Sequence, residues 1–121
     1  ADLGKRIKTA YDSRDNKALE DLAETVIPQT VQRLETFQNT LQEQWLQENK
    51  VFGLEVQHLR LGGLRSRLLY TRQCLARYLD GTLTAIEELE GERLPFAYFD
   101  NSEIASLNYN LWSCNATPAV L

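Results

Sequence analysis

Apolar residues recur every three or four positions along the first half of the chain, which is the spacing of amphipathic helices. The pattern predicts a short helix over residues 2–12 and a long one over 16–48. Asp and Asn residues at 12–16 favour a break between them, and their side chains can cap the following helix. Pro28 interrupts the long pattern, so we expect a kink or a restart there, with the proline in the first turn.

The second half repeats the pattern over 58–80, where leucines recur at helical spacing and Gly81 follows as a C-terminal cap. A shorter helix is expected over 82–90, starting at Thr82 or Thr84. The two long helices should pair antiparallel because the connection between them is short. The predicted fold class is therefore all-α: an antiparallel helical bundle with two long helices, shorter flanking helices and an irregular aromatic-rich C-terminal segment.

The helical pattern stops near Leu94. Residues 95–121 are rich in aromatic side chains but follow no helical period, and Trp112 lies among them. Large apolar side chains on irregular surface backbone are usually covered by a partner. We therefore divide the chain into a helical bundle over 1–94 and a docking segment of the same domain over 95–121, with Trp112 as a candidate interface anchor.

The stretch that joins the two long patterns, residues 48–64, differs from an ordinary linker. Gly53 and the pair Gly62 and Gly63 stand among large apolar residues, whereas solvent linkers are rich in small polar ones. Each glycine costs a helix interior about 1 kcal/mol relative to alanine. The pair therefore suggests that another backbone passes close to it, where a Cβ would clash.

Composition limits the possible partners. The chain has 121 residues, which fits one domain, and its net charge of −4 leaves no basic field for nucleic acid. No apolar run reaches the roughly 20 residues that span a bilayer, so no membrane partner is expected. The two cysteines, Cys74 and Cys114, are too few for a disulfide scaffold and do not have the spacing of metal ligands. This favours free thiols and a cytoplasmic protein. The chain begins at Ala1 and contains no Met, so we expect a fragment or a processed product.

No catalytic constellation is visible, and the sequence predicts no catalytic, cofactor-binding or metal-binding residue. His58 is the only histidine and has no partners at the spacing of a triad or a metal site. The only positive cluster consists of Arg60, Arg65, Arg67, Arg72 and Arg77. Arg65 and Arg72 share one side of the predicted helix, whereas Arg67 points elsewhere. We expect this cluster to form salt bridges with the acidic helix 16–48, and an anion-binding role is the alternative.

Residues 48–64 read Glu-Asn-Lys-Val-Phe-Gly-Leu-Glu-Val-Gln-His-Leu-Arg-Leu-Gly-Gly-Leu. This run resembles the C-terminal helical region of bacterial exo-β-N-acetylhexosaminidases of glycoside hydrolase family 20. A similar series of Glu-Asn-Lys, Glu-Val-Gln and Arg-Leu-Gly-Gly-Leu occurs there. The helix that follows, from Arg65 to Gly81, and the ending Tyr109-Asn110-Leu111-Trp112 are similar as well.

In that family a catalytic barrel carries an adjacent Asp-Glu pair, in which the Asp orients the substrate 2-acetamido group and the Glu is the general acid/base. This chain has no Asp-Glu dipeptide and no strand pattern of a barrel, so no catalytic residue carries over. The resemblance implies an inactive C-terminal helical domain with a scaffolding or interface role. Its partners would be the missing barrel of the same polypeptide, a second subunit in a homodimer, or both. The candidate interface or close-packing residues are Gly53, Glu55, Gln57, Arg60, Gly62, Gly63 and Trp112.

Two other functions fit the same sequence. A free-standing helical protein-interaction or regulatory module would also show long amphipathic helices without an active site. A small-molecule sensor would bind at the elbow formed by Gly53, Gly62 and Gly63, beside Arg60. An open reading frame that continues upstream into a barrel with an Asp-Glu pair would favour the hexosaminidase domain over both.

Overall fold

The computed structural model describes residues 2–91, and across them the all-α prediction is confirmed. These residues contain no strand, and none of their helices combines the length and the hydropathy of a membrane span. The elements are α1 (Leu3–Asp12), α2 (Asn16–Asp21), a π turn (Leu22–Val26), α3 (Ile27–Glu48), α4 (Leu54–Leu79) and α5 (Glu87–Glu90).

The predicted break after α1 is confirmed. Arg14 takes a φ of +54°, in the left-handed region, and thereby turns the chain out of α1. The Asp15 side chain then accepts the N–H of Ala18 at 3.0 Å. An acidic side chain in this position satisfies one of the free donors at the start of a helix, so α2 begins directly after it.

The long predicted helix is continuous from α2 to α3, but it is widened just before Pro28. The N–H of Ile27 bonds back to the carbonyl of Leu22, five residues earlier, which makes the intervening turn a π turn. Proline has no N–H, and its ring crowds the carbonyl four residues before it. The wider turn accommodates that ring, and Pro28 occupies the first turn of α3, as predicted.

The core lies where α1, α2 and the π turn meet α4. Leu19, Ala23 and Ile27 are completely buried there, and Leu75 of α4 packs into the same cluster. The other buried members of the cluster are Ile7, Ala10, Tyr11, Leu22, Val31, Leu68 and Ile86. This cluster covers only one end of the pair formed by α3 and α4, so the other end of the pair extends beyond the core.

α3 and α4 form an antiparallel hairpin joined by a short elbow. Leucines recur along α4 at heptad spacing and form its inward face; they are Leu54, Leu61, Leu68 and Leu75. Three of these four are buried, and Leu61 is half-buried. Heptad spacing keeps one side of a helix facing its neighbour, which explains why the pairing persists along the whole hairpin.

The predicted boundaries differ at two places. α4 begins at Leu54 instead of 58, because the left-handed residue that ends the elbow is Gly53, with a φ of +93°. The helix expected over 82–90 is reduced to one turn, α5. The N–H of Thr82 bonds to the Asp80 side chain at 2.8 Å, so Thr82 belongs to the turn after α4 and starts no helix.

Candidate interaction surface

The elbow between α3 and α4 is built around Gly53. The indole N–H of Trp45 donates to the carbonyl of Lys50 at 2.9 Å, which fixes the ring against the elbow. The Gly53 N–H donates to the Glu55 carboxylate at 2.8 Å. A Cβ on Gly53 would lie 3.2 Å from Cζ2 of Trp45. Gly53 and Glu55 therefore shape the elbow, and Trp45 is the half-buried side chain that covers it.

Polar pairs bridge the two long helices along one edge of the hairpin. They are His58 Nε2 with Gln42 Oε1 at 3.1 Å, Arg65 Nε with Glu35 Oε1 at 2.7 Å, and Arg72 Nη2 with Glu24 Oε2 at 2.9 Å. The α4 members are spaced by heptads, so they share one side of the helix. The expected salt bridges with the acidic helix are confirmed for Arg65 and Arg72, and Arg67 points elsewhere as predicted.

Arg72 has a further role at the π turn. Its Nε donates to the carbonyl of Ala23 at 3.1 Å. A π-helical hydrogen bond to that carbonyl would come from the N–H of the residue five positions later, which is Pro28, and proline has no N–H. Because Ala23 is completely buried, water has little access to its carbonyl, and the guanidinium supplies the donor that proline removes. The helical spacing predicted that Arg72 faces the helix 16–48, but not that it bonds to this backbone carbonyl.

A second row of apolar and small residues runs along α4 on the side away from its leucine face. We call it the outer stripe; it consists of Leu59, Gly62, Gly63, Ser66, Leu69 and Tyr70. Its large members are exposed by 43% at Leu59, 38% at Leu69 and 51% at Tyr70. Apart from the adjacent residues and the nearby backbone of α4 itself, no described atom lies within 4 Å of a Cβ built on Gly62 or Gly63. The predicted close approach of a backbone is therefore absent within residues 2–91, and the glycines leave the outer stripe flat and open.

The tip of the hairpin is also apolar. Phe52 is 81% exposed and Val51 is 59% exposed, and both lie in the elbow. Leu46, near the end of α3, is about half exposed as well. Monomeric soluble proteins expose single apolar residues routinely, but a contiguous group of large ones typically marks a binding surface.

At the other end of the domain, residues 82–90 cross from α4 back to α1. We call this segment the strap. The Tyr11 hydroxyl donates to Glu90 at 2.5 Å and accepts the N–H of Ile86 at 3.1 Å. Two hydrogen bonds join the Arg67 guanidinium to the Glu88 carboxylate. The bond to Glu90 raises the pKa of Tyr11, and the bond from Arg67 lowers the pKa of Glu88.

The family follows from a comparison with known protein families. A family model described as the Glycoside Hydrolase 20C C-terminal domain matches residues 1–108 of the chain. The chain belongs to this family. The resemblance seen in residues 48–64 is thereby confirmed, and the match covers all the helices from α1 to α5. No match to a curated protein is found.

Most candidate interface residues of this 20C C-terminal domain fall on the hairpin, but in different settings. Gly53 and Glu55 lie in the elbow, Gly62 and Gly63 on the outer stripe, and Arg60 is exposed beside them. The remaining α4 candidate, Gln57, is half-buried near the leucine face. An interface role for this set stays a prediction. Trp112 and the docking segment 95–121 lie outside the described residues.

Sequence reasoning missed the residues that hold the strap. Tyr11 lies on the buried side of α1, where its ring meets that of Tyr78 with the centroids 5.1 Å apart. Its partner Glu90 is far away in sequence, and so is the Arg67 that pairs with Glu88. The only sequence signal was the tyrosine on an apolar face, since a buried hydroxyl needs a hydrogen-bond partner.

The 20C C-terminal domain shows no metal-type cluster in the part that the structure describes: no group of three or more His, Cys, Asp or Glu residues could hold an ion there. His58 is tied to Gln42 in the hairpin edge. Several carboxylates are likewise engaged by arginines, among them Glu24, Glu35 and Glu88. These contacts hold helices together, and they are typical of a structural surface.

Proposed function

We propose that this chain is a non-catalytic scaffold domain that packs, through the outer stripe of α4, against the catalytic barrel of the same polypeptide. The parent enzyme in this proposal is a β-N-acetylhexosaminidase. The family supports the proposal because its printed description is that of a C-terminal domain of a glycoside hydrolase. The observation that carries it is the outer stripe itself.

A helix on the surface of a free domain normally has one apolar side. α4 has two, the buried leucine face and the exposed outer stripe. Helices that are apolar on opposite sides are typically covered on both. Gly62 and Gly63 have no side chains and lie at the centre of the outer stripe. A neighbouring element can therefore come closer to the helix there than beside larger side chains.

The state of the carboxylates also supports a non-catalytic role. A general acid needs a carboxyl group whose pKa is raised, usually by burial. The pKa of Glu88 is instead lowered by its hydrogen bonds from Arg67. Glu24 and Glu35 are about half exposed in their ion pairs. The lowered pKa of Glu88 favours its charged form, which suits a structural ion pair.

The proposal has finer parts that rest on the resemblance and on composition. The parent enzyme would be bacterial and would act on N-acetyl-β-hexosaminides, and the sparse cysteines favour the cytoplasm. The segment 95–121, with Trp112 as its anchor, would make a second contact with the barrel or with a second subunit. Self-association of the chain that rises between submicromolar and micromolar concentration, measured by sedimentation, would support the homodimer, and a strict monomer would contradict it.

The test is one substitution made in two contexts. Gly63→Leu adds a side chain where residues 2–91 leave open space, and leucine favours a helix more than glycine does. We expect its unfolding midpoint in the isolated chain to stay the same or rise. In the full-length protein from the natural reading frame, the same side chain should hold the barrel away and lower the midpoint and the hydrolysis of an aryl N-acetyl-β-glucosaminide.

The matched control is Gln32→Leu, which adds the same side chain at an exposed position of α3 away from the outer stripe. It should leave both proteins unchanged. If Gly63→Leu leaves the full-length protein as stable and as active as the control does, the outer stripe is not the docking surface. A midpoint that falls equally in both contexts would show that Gly63 matters only inside this domain.

A further inference from the structure

The strap has little secondary structure of its own. Its only helix is the single turn α5, and the N–H at its start, on Ile86, is satisfied by the Tyr11 hydroxyl of α1. At its beginning, the Leu83 N–H bonds back to the carbonyl of Arg77 at 2.8 Å. An isolated helical turn is unstable in water, so contacts with other elements hold the strap in place.

Apolar and polar contacts hold the strap to the rest of the domain. The Ile86 side chain is buried in the core, and Leu89 packs against it. Tyr11 of α1 bonds to Glu90, and Arg67 of α4 bonds to Glu88 through both of its terminal nitrogens. The pair of Arg67 and Glu88 is about half exposed, and ion pairs in such positions are weak. The bond from the buried Tyr11 to Glu90 is partly buried. The strap is therefore attached by the apolar side chains of Ile86 and Leu89 and by two polar ties that can break locally.

A cavity of about 430 Å³ lies beneath the strap, between α1 and α4. Its inner wall is apolar and includes Ile7 and Leu75, and the strap contributes Leu83 and Ile86 on the opposite side. Cys74 of α4 lines the same cavity and is half-buried. The volume falls within the range of small-molecule pockets.

We propose that the strap, residues 82–90, is a lid on this cavity, and that the ties to Tyr11 and Arg67 set how often it opens. Opening moves the strap away from α4 while α1 to α4 stay folded. Local openings of this kind occur where a segment has few buried apolar contacts and much exposed backbone. Cys74 lines this partly open cavity together with residues of the strap and is half-buried, so the access of reagents to its thiol reports how far the strap covers the cavity. This proposal does not depend on docking to a barrel.

The experiment measures the rate at which a thiol reagent labels Cys74 in the full 121-residue chain carrying Cys114→Ser, which leaves one cysteine. Glu88→Gln removes the charge that pairs with Arg67, and we expect labelling to become about threefold faster. Tyr11→Phe removes the hydroxyl that holds both Ile86 and Glu90, and we expect labelling to become roughly tenfold faster. Raising the salt concentration should accelerate the parent chain and leave Glu88→Gln nearly unaffected.

Glu35→Gln is the matched control, because it breaks an exposed ion pair of the same kind, with Arg65, far from the strap. Its labelling rate should equal that of the parent chain. Equal rates in all four proteins would overturn the proposal. The labelling rate should also be measured at several low urea concentrations. A lid opens without unfolding the domain, so the labelling rate should depend little on urea. A labelling rate that increases with urea in proportion to the globally unfolded fraction would also overturn the proposal.

Discussion

Two glycine-to-alanine substitutions in the hairpin should have opposite effects on stability. Gly53→Ala places a side chain at a φ of +93°, and left-handed backbone costs an L-residue roughly 1–2 kcal/mol. The new Cβ would also lie 3.2 Å from Cζ2 of Trp45. That ring is held by its bond to Lys50, so the crowding adds on the order of 1 kcal/mol. Alanine also has less conformational freedom than glycine in the unfolded chain, which stabilises the folded state by about 0.5 kcal/mol.

The net expectation for Gly53→Ala is a loss of about 2 kcal/mol in the free energy of unfolding. Gly63→Ala should instead gain about 0.5–1 kcal/mol, because Gly63 lies in a helix interior and residues 2–91 leave open space around its missing Cβ. This reverses the expectation of a close approach that the glycine pair alone suggested. The matched pair separates a glycine that the backbone requires from one that it only tolerates.

Urea unfolding of the full chain, followed by far-ultraviolet circular dichroism, measures both effects. With a denaturant slope of about 1–3 kcal/mol per molar urea, the two midpoints should differ by about 1 M or more. An unchanged midpoint for Gly53→Ala would mean that the elbow does not need the left-handed conformation. A midpoint that falls for Gly63→Ala would show that part of this chain packs on Gly63, and that the outer stripe is not free.

Three further outcomes are expected. Arg72→Ala should cost about 1–3 kcal/mol because it leaves the buried carbonyl of Ala23 without its donor, whereas Arg65→Ala should cost less than about 1 kcal/mol; equal urea midpoints would contradict this. The pKa of Tyr11 is raised by its bond to Glu90, so its contribution to stability is complete below the unfolded pKa of about 10 and is lost as the pH rises through the folded value. Midpoints measured across that alkaline range should fall more steeply for the parent chain than for Tyr11→Phe, and parallel curves would show that this hydroxyl is not coupled to folding. The isolated chain should not hydrolyse an aryl N-acetyl-β-glucosaminide, and turnover abolished by mutating one of its carboxylates would refute the non-catalytic role.

Local physics was enough to predict the helices but not all of their ends. The break around Asp15 and the restart at Pro28 were predictable, because capping and the missing proline N–H act between neighbouring residues. The start of α4 was placed too late. Its first turn follows directly from the left-handed Gly53, which looked from the sequence like one of three equivalent glycines.

The contacts that fix the strap could not be predicted, since they join residues far apart in the chain. Threonine often caps helices, but the N–H of Thr82 donates to the Asp80 carboxylate, so Thr82 lies in the turn after α4. The N–H of Ile86 is then satisfied by Tyr11, from the opposite end of the domain. Such pairings depend on how the helices pack, and local patterns along the sequence do not show which distant residues will meet.

The π turn has a consequence for which sequence changes the domain can accept. A π turn holds one residue more than an α turn between the same flanking helices. Removing one exposed residue from it, such as Thr25, would therefore restore an ordinary α turn and keep α2 in phase with α3, so Leu19 and Leu22 would stay in the core. The Pro28 ring would then crowd the Ala23 carbonyl, which Arg72 binds. The loop at Ser13 and Arg14, by contrast, is exposed and can change its length at a smaller cost. Relatives of this domain should therefore vary in length at that loop, and those that lack the extra residue of the π turn should also lack the proline.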